Sequence, residues 1–547
     1  MRARITLLAI LVLAFCFISV HPAAAQITVA QLNGTVHDES GGAVGKATVS
    51  LREMDTNRVY TTVTNDSGFY VLPNLAPGRY ELKVSFTGFS NYTQTGFVLT
   101  VGQSATVDVV LKVATKGEQV VVTGEAPVIE PSRTEVSQVI DTKQIDSLPI
   151  SGRLFTDFAL LTPGVATGRT SLQSTITEFE VTRVSFAGMR DLSNEVTVDG
   201  ADNINTATGS QRSTPPQEAV SEFRVVNNSF GAEYGRALGG IVNIVTKSGG
   251  NDFHGSLYDY LQNSATDARS LLQVAPQSDA LRQNQFGATI GGPIQKDKTF
   301  FFTNYEGQRR GEAPTYPTTL LEPITLLDGS PSTNLALINQ AKEALGIAPE
   351  NLNILKTKDN DYGIIKIDHE FNQNNRLSVR YSIEDARDLN QLVGSTLDGG
   401  GIGAPSSGHD VFLRDQALVG TLNTNLSPNL VNSVLVQWAR RHYNFPGTTG
   451  EPNLDIPNTL LFGHNFGVLD AIYESRVQFS DNVAWVKGNH VAKFGVDVNY
   501  LKNFVIWPGF TPMRIVLPGI NCLVDFANFV NPTAGILSSP SDGPCPT

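Results

Sequence analysis

Eight histidines, three cysteines and 52 acidic residues are the groups from which this chain could assemble a reactive centre. None of the histidines stands in an H-E-x-x-H or H-x-x-E arrangement, the spacing that sets two ligands on one zinc ion. No nucleophile elbow presents an activated serine. Asp199 and Asp202 stand close together in D-G-A-D-N, but that segment lacks the ligand series of a calcium loop. Aspartates in such a setting are expected to bond the backbone of their own turn. The expectation is therefore no catalytic residue, no metal and no cofactor. Chemistry of another kind is offered by Lys116 to Thr123, KGEQVVVT, where a polar start leads into three consecutive valines. An extended apolar segment of this sort can pair its backbone with the edge of another sheet. It can equally be the last strand of the domain before it, or a linker.

The elements that must carry these residues are predicted to be mainly β. At 547 residues, 41% hydrophobic and 17% charged, the chain is long enough for several folded units, and its 49 glycines suit short strands and turns. The net charge of −12, with no lysine- or arginine-rich block, excludes a nucleic-acid partner. Arg2 and Arg4, the apolar run Ile5 to Val20, and Ala23-Ala24-Ala25 read as a secretory signal over residues 1–25, cleaved near Ala25. No other run approaches the length of a membrane-spanning helix, so insertion in a membrane must be by strands. Cys16 leaves with the signal. Cys522 and Cys545 remain in an exported chain, where disulfides persist, and are expected to pair, two free thiols being the alternative.

Residues 26–115 give strand-length runs between turn signals, as at Asn65-Asp66-Ser67-Gly68 and Ala76-Pro77-Gly78, and predict a small antiparallel sandwich. Its Gly34-Thr35-Val36, Asp66-Ser67-Gly68-Phe69-Tyr70 and Leu75-Ala76-Pro77-Gly78-Arg79-Tyr80 resemble carboxypeptidase regulatory-like domains, which implies a non-catalytic accessory module. Carbohydrate binding is sometimes proposed for such modules. Here an aromatic platform would need Tyr60, Tyr70, Tyr80 and Tyr92, which core packing explains as well.

Residues 132–250 predict an α+β unit. Asp141 to Ile145 opens a short helix, Gly152 to Leu161 an amphipathic one, and Ile241 to Thr246 is a fully apolar strand. The unit contains Gly188 and Arg190, Asp199-Gly200, Glu222-Phe223-Arg224-Val225, Tyr234-Gly235-Arg236, Gly239-Gly240 and Thr246 to Asn251. Together these resemble the plug of TonB-dependent outer-membrane receptors, in particular the Oar-like branch. The resemblance makes Glu118, Gln119, Val120, Val121, Val122 and Thr123 the candidate coupling box, within a segment and linker over 116–131.

After Asn251 the pattern becomes strand, short turn, strand, long loop. In Arg376 to Glu384, apolar Leu377, Val379, Tyr381 and Ile383 alternate with Arg376, Ser378, Arg380, Ser382 and Glu384, as in a barrel with lipid outside and water within. Residues 251–547 are thus expected to be about nine strands, the first part of a large antiparallel transmembrane barrel, and the chain to be a fragment. Phe300, Phe301 and Phe302 suit an aromatic girdle. Asp481 falls in the lipid-facing phase, where a bulge would be needed to turn it inward. The resemblance implies a receptor importing a nutrient ligand such as a glycan, peptide or chelate, with outer-membrane lipid and the TonB energy-transducing complex as partners. The alternative is an Oar-like adhesion or cell-contact protein without active transport.

Overall fold

In a computed structural model the described residues are 29–113, 120–123, 135–167, 184–268, 280–313, 320–391, 402–534 and 545, less 149, 151–152, 208, 233, 327, 428, 457–459, 465–469, 489, 508–510 and 512. The signal segment, Glu118 and Gln119 lie outside them.

Two sheets form the first unit. Strands β1 (Ala30–Asp38), β4 (Phe69–Leu75), β7 (Ser104–Thr106) and β8 (Val109–Leu111) make one; β2 (Thr48–Glu53), β3 (Val59–Val63), β5 (Gly78–Ser85), β6 (Tyr92–Leu99) and β9 (Val120–Thr123) make the other, in the order β3-β2-β5-β6-β9. Alternate apolar residues such as Val49, Leu51, Leu82 and Val84 point between the sheets and form one core. The sandwich is not purely antiparallel as expected: β1 pairs with β7 and β8, and β6 with β9, in parallel. Tyr60, Tyr70 and Tyr80 belong to this core and Tyr92 packs against it, so these four build no surface platform. The hydroxyls of Tyr70 and Tyr80 are taken up by Val107 O and Ala76 O at 2.7 and 2.6 Å.

The second unit is a five-stranded sheet with helical turns on it. Its strands β10 (Val136–Ile140), β13 (Glu195–Val198), β14 (Ala201–Asp202), β15 (Val220–Asn228) and β16 (Ile241–Thr246) run in the order β10-β15-β16-β13-β14, and a separate pair is made by β11 (Val165–Thr167) and β12 (Val184–Phe186). The mainly apolar β16 is the central strand and parallel to β13, which is where a strand without alternation belongs. Helix α1 (Thr142–Ser147) starts with a capping box between Asp141 and Gln144. The expected second α-helix is instead a 3-10 helix at Phe155–Leu161, packing Phe155 and Phe158 on the sheet.

Nine long strands follow: β17 (His254–Asn263), β18 (Leu281–Gln295), β19 (Thr299–Glu312), β20 (Lys356–Asn372), β21 (Asn375–Gln391), β22 (His409–Ser427), β23 (Leu430–Asn444), β24 (Ala471–Lys487) and β25 (His490–Ile506). Each pairs antiparallel with the next in one sheet. In β21, Arg380, Ser382 and Glu384 are buried inward while Val379, Tyr381 and Ile383 are only half-covered on the other face. No described helix is long and apolar enough to cross a membrane, whereas these strands reach or exceed the 9–11 residues a spanning strand needs, from 10 in β17 to 19 in β22.

Two expectations for the barrel surface are corrected. Phe300 and Phe302 point inward, Phe302 packing on Ala219, Tyr362 and Ile364, so only Phe301 of the three is turned away from the interior. The alternation of side chains dictates this, because three consecutive residues of a strand cannot share a face. Around Asp481 the pairing runs without a register shift on either side, so no bulge turns it inward. Its carboxylate is instead bonded by the Asn432 side chain of the neighbouring strand.

The long connections are also more ordered than sequence implied. Helices α2 (Asn334–Ala344) and α3 (Ile520–Val530) pack together beside a four-stranded sheet of Ile402–Gly403, Leu460–Phe462, Asn453–Ile456 and Arg514–Val516. They share a core of Ile338, Leu454, Ile456, Phe462 and Leu523. Within this cap Lys342 is buried against Glu350 at 2.6 Å, and Cys522 and Cys545 are disulfide-bonded.

Candidate functional site

The plug sheet is seated on the inner face of the barrel wall by aspartates that sequence placed in a turn of the plug pattern, without indicating what they would face. Asp199 and Gly200 are the two-residue turn between β13 and β14, both with positive φ, 50° and 81°. An Asp-Gly pair meets that demand with least strain. The turn projects the Asp199 carboxylate at β16 and the barrel wall together. It accepts from Thr246 N–H at 2.9 Å and Thr246 Oγ1 at 2.7 Å, and lies 3.1 Å from Arg380 Nε and 3.5 Å from Lys366 Nζ. Burial opposes ionisation of Asp199, but Lys366, Arg380 and the Thr246 bonds hold its carboxyl below the usual carboxylate range.

Asp202, three residues on, is more heavily held. Its carboxylate meets Arg476 Nη1 at 2.5 Å and Arg236 Nη2 at 2.6 Å, and accepts from Asn499 Nδ2 at 2.8 Å. Its backbone N–H donates to Gln478 Oε1 at 2.9 Å and its carbonyl accepts from Gln437 Nε2 at 3.2 Å. Burial again opposes the charge, and Arg476 and Arg236 outweigh it and keep the carboxyl low. A third anchor, Arg212, forks onto Asp415 at 3.0 and 3.2 Å, with Glu474 3.5 Å away. Charges this deeply buried are tolerated only when each has partners, and here the partners come from both bodies. The arrangement holds two rigid parts together through bonds that can be exchanged for water when the parts separate.

Other marked residues build the plug itself. Gly239 and Gly240 allow close packing: a Cβ would come within 2.3 Å of Asn194 Oδ1 at the first and of the Phe186 ring at the second. Tyr234 OH accepts from Asn243 Nδ2 at 3.3 Å. Gly188 has φ 78°, a Cβ at Gly235 would meet nothing within 4 Å, and Arg190 is exposed. These residues form no single cluster with Asp199. Arg212, Lys366, Arg476 and Asp415 were not singled out from sequence, since a lone charge in a strand carries no sign of what it will face.

Glu222 points the other way, toward the sandwich. Its Oε1 accepts from Val101 N–H at 2.5 Å, while Arg224 Nη1 donates to Val101 O at 2.8 Å, so the two side chains grip one turn of the sandwich. Burial pushes the Glu222 carboxyl up to about 7 from 4.5, Asp141 adding to it and the Val101 bond opposing. A raised value means that the neutral form is favoured in the docked state. Its contribution to docking is full below about pH 4.5, falls as the pH rises, and is gone above about 7. At about 1.4 kcal/mol per unit the loss approaches about 3 kcal/mol. Label-to-label distances between sandwich and barrel are expected to broaden as the pH rises from 5 to 8, and Glu222→Gln to flatten that dependence.

The sandwich also touches the short-turn end of the barrel. Arg58 Nη1 lies 2.6 Å from Glu370, Arg376 Nη1 3.8 Å from Glu53, and Asn57 Nδ2 donates to Asp297 Oδ1 at 3.0 Å. Between sandwich, plug and rim is a polar cavity of about 540 Å³, lined by Glu53, Arg58, Asp199, Lys366 and Arg376 among others. The coupling-box candidate, expected as a separate segment, has Val120–Thr123 paired in register with Tyr92–Thr95 of β6. Among the described residues no group of three or more His, Cys, Asp or Glu could hold a metal ion.

Comparison with known proteins places these units. Residues 245–329 and 323–512 match an outer membrane beta barrel domain, and residues 31–112 a carboxypeptidase regulatory-like domain. The TonB-dependent transporter Oar of Myxococcus xanthus is 28% identical over 287 residues, 50% of this chain and 26% of the relative. The ferrienterobactin receptor of Escherichia coli (strain K12) is 30% identical over 112 residues, 19% of this chain and 14% of the receptor. This chain thus spans about a quarter or less of the length of either. Among solved structures, the siderophore receptor PirA from Acinetobacter baumannii aligns with a TM-score of 0.46 at 15% identity, over 68% of this chain and 49% of that one. This chain is an outer-membrane β-barrel protein of Gram-negative type with an N-terminal carboxypeptidase regulatory-like domain, homologous to the TonB-dependent transporter Oar.

Proposed function

We propose that the protein is a TonB-dependent receptor that imports a nutrient ligand of glycan, peptide or chelate type, with energy delivered from the inner membrane through the segment around Val120–Thr123. The observation that carries this reading is the seat of the plug. Asp199, Asp202 and Arg212 hold the plug on the barrel wall with ion pairs, beside small apolar contacts such as Ala219 on Phe302 and Ala201 on Val419. Charges buried in this way recover their hydration when the parts separate, which offsets much of the cost of parting them and suits a stopper that must move and return. In this reading no bond of the ligand is made or broken by the protein.

The test is uptake with and without the proton gradient. Cells carrying the gene are expected to deplete one solute from a mixed pool of ferric chelates, glycans and peptides, followed by mass spectrometry, where a deletion strain does not. An uncoupler should abolish the difference. Depletion unaffected by the deletion, together with lost cohesion between cells, would instead support the adhesion reading, for which the folded cap of α2 and α3 offers a surface.

A further inference from the structure

The strand β9 has two edges. One is occupied by β6 over Tyr92–Thr95, and β9 is the last strand of its sheet, so its other edge has no strand beside it among the described residues. A partner that recognises Val120–Thr123 by strand addition therefore finds an edge already extended and held, with no described strand to displace.

The far end of the same strand pair explains why such docking would be productive. Two residues beyond the end of β6, Val101 is gripped by Glu222 and Arg224 of plug strand β15. By contrast the covalent route from β9 to the plug runs through residues 124–134, which can stretch to roughly 36–40 Å before becoming taut. A load on β9 can thus reach β15 through β6 and Val101 as well as along the chain.

We propose that the energy-transducing partner adds a strand to the outer edge of β9 while β9 stays on β6, so that partner and sandwich become one continuous sheet and the sandwich is the link that pulls the plug. This rests on the reading of Val120–Thr123 as the coupling segment. The partner is an extended strand of a periplasmic protein, recognised chiefly through its backbone.

The experiment locks β9 to β6. In the full-length protein, Thr93→Cys with Val121→Cys, which are register partners, is oxidised to a disulfide, and binding of the soluble C-terminal domain of TonB is measured before and after reduction. Gln94→Cys with Val122→Cys, one step along the register, is the second variant in case the first disturbs folding. The expected result is an affinity for the locked form within about twofold of the reduced form. A loss of tenfold or more on oxidation, reversed by reduction, would overturn the proposal by showing that β9 must leave β6 to be bound. If the TonB domain fails to bind reduced and unmutated protein alike, the coupling reading itself is wrong and the proposal falls with it.

Discussion

Asp202→Ala is expected to loosen the plug by about 3–5 kcal/mol, the usual consequence of removing one partner from a buried ionic group and stranding the others. Two arginines lose a partner here. Arg476 is almost wholly buried and is left with Glu474 at 3.3 Å and the Ile204 carbonyl at 2.6 Å, and Arg236 is left with Glu195 at 3.3 Å. The substitution also frees Asn499 Nδ2 and the Ile204 N–H, which donates to Asp202 Oδ1 at 2.8 Å. Amide exchange in β13 and β14, followed by mass spectrometry on full-length protein in detergent, should accelerate roughly 100- to 5,000-fold. Asp202→Asn keeps an acceptor for Ile204 N–H and for Arg476, so its effect should be well under half as large in free energy. Exchange within twofold of wild type in the alanine variant would mean that the plug is seated elsewhere.

Val121→Pro should weaken capture of the TonB domain at least tenfold and abolish energised uptake, with the amount of protein at the cell surface unchanged. Proline deletes one backbone donor and fixes φ near −65°, well away from the value in a parallel strand. In a strand of four residues, Val120–Thr123, one lost donor is a large share of what is available to pair. Whichever edge Val121 N–H serves, the segment loses either its hold on β6 or its appeal to a partner. Unimpaired capture by the proline variant would remove this segment from the coupling route. The two substitutions act on opposite ends of the same chain of contacts, and should be separable: the aspartate change frees the plug without touching capture, and the proline change does the reverse.

Much of the architecture was written in local patterns. The alternation in Arg376 to Glu384 reports a wall with unlike faces because successive strand residues must point oppositely. The Asp-Gly at 199–200 announces a tight turn because few other pairs accept two positive φ values. The run Ile241–Thr246, apolar but for Asn243 and Thr246, announces a strand covered on both sides. The alternation also contained a constraint that Phe300, Phe301 and Phe302 violate as a girdle, since three successive residues cannot all face lipid.

What the sequence determined by itself, then, was the succession of units: sandwich, plug and barrel wall each follow from the spacing of apolar residues and turn formers over a few positions. Only the tertiary structure decided how they meet. That Asp199 faces Lys366 and Arg380, that Asp202 faces Arg476, that Glu222 grips Val101, and that Val120–Thr123 lies on β6 are pairings between residues far apart in the chain. The folded cap, with Lys342 on Glu350 and α2 on α3, arises the same way from connections that have little periodicity of their own. A buried charge is stable only through its partner, and the partner of a charge, unlike the face of a strand, is not encoded in its neighbours.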